Sequence, residues 1–66
     1  MTKDKLQKVL RMAKSINLLN ESKKTLFTLC EKLEDAAMAA YDLECMELGE
    51  ELENISEKAY SLAYNG

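Results

Sequence analysis

The stretch LFTLCEKLEDAAMAAYDLECMELGEELENISEKAYSL, residues 26–62, decides the fold. Apolar side chains recur in it at Leu26, Cys30, Leu33, Ala37, Tyr41, Cys45, Leu48, Leu52, Ile55, Ala59 and Leu62. Every step is three or four residues, which lines these positions along one side of an α-helix. No proline interrupts the run, and its one glycine is Gly49. The expected fold is an all-α, small helical bundle in one domain, residues 1–66. Leu33 and Leu52 should be among its buried residues.

Upstream, Leu6, Val9, Leu10, Ala13 and Ile16 form a second apolar face at helical spacing. Thr2 and Asp4 are both candidate N-caps for this first helix, and Asp4 with Gln7 has the spacing of a capping box. The segment Asn17-Leu18-Leu19-Asn20-Glu21-Ser22 is the best turn in the chain. Asn tolerates the left-handed conformation that ends a helix, and Asn or Ser can cap the next one.

From Ser22 onward two architectures compete. In one, three helices over about 4–18, 22–41 and 43–63 pack as a bundle, in keeping with ordinary helix lengths of ~12 residues. In the other, a short first helix is followed by one continuous helix of about 40 residues, ~60 Å long. The successive four-residue steps Ala37–Tyr41–Cys45 mark a stutter, where a supercoil relaxes or a helix breaks. Asp42 could cap a third helix, or Gly49 could end the second before Glu50-Glu51. A continuous helix outruns the first helix and would need a second chain to cover it, so a homodimer is expected.

A chain of 66 residues builds a marginal core, which association, disulfides or a metal commonly reinforce. Its two cysteines, Cys30 and Cys45, both fall on the apolar stripe and read as small buried hydrophobes. In a continuous helix, fifteen residues would hold them ~22 Å apart, too far for a bridge. Met1 leads into Thr2-Lys3-Asp4-Lys5 without the apolar segment of a secretory signal. The longest apolar run, residues 36–41, is about a third of the ~18 residues that suggest a membrane span. A cytoplasmic protein without membrane association is expected, in the host cytoplasm if the chain is phage-encoded.

Charge is segregated along the sequence. Lys3, Lys5, Lys8, Arg11 and Lys14 against Asp4 give residues 1–19 a net charge of +4. Glu34, Asp35, Asp42, Glu44, Glu47, Glu50, Glu51, Glu53 and Glu57 against Lys58 give residues 33–66 a net charge of −8. The two halves can neutralise each other within the bundle or across a dimer. Alternatively the acids meet a basic partner, since like charges at i, i+3 and i+7 (Glu44, Glu47, Glu51) cost helix stability.

Chemistry-bearing motifs are missing. There is no histidine to act as a base or metal ligand, no CxxC pair and no glycine-rich phosphate loop. Glu44, Glu47 and Glu51 offer at most a carboxylate-only metal site. No cofactor and no enzymatic activity are expected. The basic first helix is the sole candidate for nucleic acid, but its lysines surround the helix instead of lining one edge.

Several large apolar residues lie off the main stripe. Phe27 and Met38 share one side of the second helix. Met46, Tyr60 and Tyr64 form a comparable edge farther on, and Leu43 also falls outside. The expected function is a non-enzymatic protein-interaction module, an inhibitor, adaptor or chaperone that binds a larger protein. Short acidic proteins of phages and mobile elements suit that description. Met46, Glu47, Glu50, Glu51, Glu57, Tyr60 and Tyr64 are the candidate partner-binding residues, aromatic anchors with a charged rim. The alternative is a small nucleic-acid-associated regulator that uses the first helix.

Overall fold

The computed structural model describes residues 2–65. Three helices, α1 (Lys3–Ser15), α2 (Lys23–Asp42) and α3 (Met46–Asn65), are joined by a 3-10 turn, Leu18–Asn20, and by a short break at residues 43–45. The chain is an all-α bundle, and the three-helix architecture is the one adopted. Its longest dimension is 33 Å, close to the ~30 Å of a single 20-residue helix. A continuous helix through residues 22–63 would be twice that.

Local chemistry sets each boundary. Thr2, not Asp4, caps α1 by accepting the Lys5 amide at 3.3 Å. Asp4 sits in the first turn, where a carboxylate suits the positive helix end. Asn17 caps the 3-10 turn through the Leu19 amide at 3.2 Å. Ser22 caps α2 through the Thr25 amide at 3.2 Å.

The end of α2 is a Schellman motif. The Cys45 amide donates to the Ala40 carbonyl at 2.8 Å and the Glu44 amide to the Tyr41 carbonyl at 2.9 Å. Between them Glu44 takes the left-handed conformation, φ 61°, a position where glycine is usual. Neither of the expected breakpoints is used. Asp42 is the last residue of α2 rather than a cap, and Gly49 lies inside α3. Gly49 serves close packing: a Cβ there would stand 2.7 Å from Tyr41 Cε1, so the ring lies directly against the backbone.

The core has two parts. Near the break, Leu6, Leu10 and Ala13 of α1 meet Leu33, Ala36, Ala37 and Ala40 of α2 and Leu48 and Leu52 of α3. At the other end, Leu26 and Cys30 meet Ala59 and Ala63, with Leu18 and Leu62 packed against them. No position of the main stripe is exposed, and Leu33 and Leu52 are almost completely buried. Small residues off the stripe are buried too: Ala36, Ala40, Gly49, Ser56 and Ala63. They let α2 and α3 approach closely. Ser56 is the one buried polar side chain among the described residues. Its hydroxyl donates to the Cys30 carbonyl at 3.1 Å and lies 3.2 Å from Cys30 Sγ, so its burial leaves no polar atom unpaired.

Both cysteines are free, Cys30 buried and Cys45 half-buried. The hairpin does not bring them together. Cys30 is in the far cluster and Cys45 at the break, separated by twelve helical residues, ~18 Å, before the chain turns.

A single chain closes this core. With α2 and α3 folded against each other, α1 and the 3-10 turn cover one side of the pair. The expected dimer rested partly on a long helix that one first helix could not cover, and that ground is gone. Its other ground, the off-stripe apolar residues, moves to the surface.

Candidate partner-binding face

Helical phase predicts which residues border the uncovered side of the α2/α3 pair. On α2, Phe27, Glu31, Glu34 and Met38 follow at steps of four, three and four; on α3, Glu53, Glu57, Tyr60 and Tyr64 do the same. Each set is a second seam at heptad spacing, about 100° from the buried one. Antiparallel packing of α2 and α3 brings the two seams into one face.

At one end of the face is an aromatic cluster. Phe27 and Tyr60 meet edge to face with ring centroids 6.2 Å apart, and Tyr60 stacks on Tyr64 at 5.8 Å. These are favourable aromatic geometries. Toward the other end Met38 lies in a shallow groove with Glu34, Glu53, Ser56 and Glu57, and no cation lines it. Phe27, Met38, Tyr60 and Tyr64 are 37%, 66%, 50% and 70% exposed.

Next along the face, Tyr41 donates its hydroxyl to Glu53 Oε2 at 3.0 Å. Partial burial of the ring, then the Glu53 and Glu50 carboxylates, push its phenol above its ordinary pKa. Both carboxylates therefore act on the α2 side of α3.

The seven candidate residues from the sequence do not form one patch. Glu57, Tyr60 and Tyr64 belong to the face just described, and Glu50 lies beside it near Tyr41. Met46, Glu47 and Glu51 line a different groove, against Lys3, Gln7 and Leu10 of α1. Glu51 is paired there with Lys14 at 3.4 Å, the one ion pair among the described residues. Five members of the face were outside the expected set: Phe27, Glu31, Glu34, Met38 and Glu53. Their signal was the shared phase of residues 27, 34 and 38 on one helix and 53, 57 and 60 on the next.

Among the described residues no three acids or cysteines are grouped to hold a metal ion. The buried Ser56 and Cys30 side chains are engaged with each other and with backbone. Among the described residues no helix is long and apolar enough to cross a membrane. No protein-family model, curated protein or solved structure matches the chain.

Proposed function

We propose that this chain is a non-enzymatic protein-interaction module that applies the outer α2/α3 face to a larger protein, as an inhibitor, adaptor or chaperone. One observation carries the reading. Phe27, Met38, Tyr60 and Tyr64 gather on one face of a bundle whose core is complete without them. Exposed aromatic and methionine side chains grouped this way, inside a rim of charge, have the composition of an interface centre.

The test separates binding from folding. Met38→Ala removes an exposed side chain and should change stability by no more than ~0.5–1 kcal/mol, and Tyr60→Ala, which also gives up its ring contacts with Phe27 and Tyr64, by ~1–2 kcal/mol. Each should also sharply reduce recovery of the protein partner captured by the tagged wild-type chain. Met12→Ala, on the exposed side of α1, is the control and should leave recovery unchanged. Full recovery with Tyr60→Ala and Met38→Ala would place the binding surface elsewhere.

A further inference from the structure

We infer that the occupant of the outer α2/α3 face is a basic amphipathic helix, an inference that rests on the proposed interaction function and names the partner's chemistry. Two features define it. The first is spacing. Phe27, Glu31, Glu34 and Met38, opposite Glu53, Glu57, Tyr60 and Tyr64, repeat at the interval at which one helix meets another. The aromatic cluster and Met38 are eleven residues apart along α2, ~16 Å, or about three turns of a docked helix. A helix in this groove would set one apolar anchor on the aromatic cluster and another on Met38, the helix-in-groove mode of recognition.

The second feature is charge. Between the two apolar ends the face carries Glu31, Glu34, Glu53 and Glu57, and its groove is lined by no lysine or arginine. Lys14 of α1 pairs with Glu51, on the opposite edge of α3. A docked helix with lysine or arginine between its anchors would neutralise these acids. Complementary charge of this kind raises association rate and excludes wrong partners.

The same charges disfavour a second copy of this chain. A two-fold dimer through the face would set it against itself, Glu34, Glu53 and Glu57 against the same three residues. The basic outer side of α1 from another copy has the right sign, but that contact is head-to-tail and builds a ring or a filament rather than a two-fold pair.

The probe is a synthetic lysine-rich amphipathic peptide of about 15 residues, long enough for four turns, with leucines at heptad spacing. A peptide with glutamate in place of lysine and one with scrambled order are the controls. The lysine peptide should bind and become helical, and should shift the NMR signals of Phe27, Met38, Tyr60 and Tyr64. Glu34→Lys/Glu57→Lys should weaken that binding by roughly tenfold or more while circular dichroism shows the chain still folded.

Equal binding of either control peptide, or shifts confined to Glu47 and Glu51, would overturn the inference. So would self-association in sedimentation equilibrium that Tyr60→Ala abolishes, which would make a second copy the occupant. The natural partner separates this inference from the broader function. Capture lost with Tyr60→Ala but kept in Glu34→Lys/Glu57→Lys would retain the face and overturn its basic helical occupant.

Discussion

Replacing Glu44 with glycine should stabilise the protein, and the sign of that effect tests the whole architecture. Glu44 is held at φ 61° by the Schellman hydrogen bonds that end α2. A left-handed conformation costs an L-residue roughly 1–2 kcal/mol. Glycine escapes that cost but loses more backbone freedom on folding, which takes back about 0.5–1 kcal/mol. A net gain of about 0.5–1 kcal/mol remains. Urea unfolding of a domain this size has a slope near ~1 kcal/mol/M, so the midpoint should rise by about 0.5–1 M. Had α2 and α3 been one helix, glycine at 44 would instead cost ~1 kcal/mol as a helix-interior substitution. Glu44→Asn and Glu44→Val separate conformation from charge, because all three changes remove the carboxylate. The stability order should be Gly, Asn, Glu, Val, following tolerance of positive φ. A destabilised glycine variant, or a valine variant as stable as the glycine one, would refute the break at Glu44.

Other substitutions probe the packing. Leu52→Ala should cost ~2–5 kcal/mol through lost burial and the cavity left at a fully buried site, enough to unfold much of a small domain by circular dichroism. Gly49→Ala should give none of the usual helix benefit of ~1 kcal/mol, because its methyl meets the Tyr41 ring. In a Tyr41→Ala background the same change should stabilise, and a urea double-mutant cycle reads the coupling. Raising the pH past about 10 should weaken the fold. The folded chain holds the Tyr41 proton more tightly than the unfolded chain, so stability is lost as pH rises from the unfolded value through the folded one. Tyr41→Phe should flatten that loss in alkaline melts.

Hydropathy and capping chemistry made much of the fold legible. Ser22 and the turn at residues 17–22 are where the sequence places them, and every member of the long stripe is buried or, at Tyr41, Cys45, Ile55 and Leu62, half-buried. The break at residues 43–45 was harder to read because a glutamate occupies the left-handed position, and glutamate carries no turn signal. Buried Gly49 and Ser56 are invisible to a hydropathy stripe, since their role is to be small. The candidate face was half legible. Phe27 and Met38 share a phase on α2, and Tyr60 and Tyr64 lie together on α3, but only the turn geometry determines that the two edges point the same way. It also sends Met46, Glu47 and Glu51 to the other edge, a division that linear spacing along one acidic helix conceals.

The small buried residues connect the core to the face above it. Ala59 is fully buried next to Tyr60, and Ser56 bonds to the Cys30 backbone one turn of α2 beyond Phe27. These contacts fix the separation of α2 and α3, and that separation sets the 6.2 Å between the Phe27 and Tyr60 rings. For the proposed binding, a face held this way would have its anchors placed in advance, which lowers the ordering cost of association. Ala59→Val is therefore expected to act at two levels. Overpacking should cost ~1–3 kcal/mol, and pushing the helices apart should separate Phe27 from Tyr60, changing their ring-current shifts in the NMR spectrum. Binding to the outer face should fall even at temperatures where the variant remains fully folded. Tyr60→Ala, in contrast, should remove binding with the helix spacing intact, at a cost of ~1–2 kcal/mol from its lost ring contacts. If Ala59→Val lowers stability but leaves both the ring shifts and binding as they were, the spacing of the helices does not set the geometry of the face.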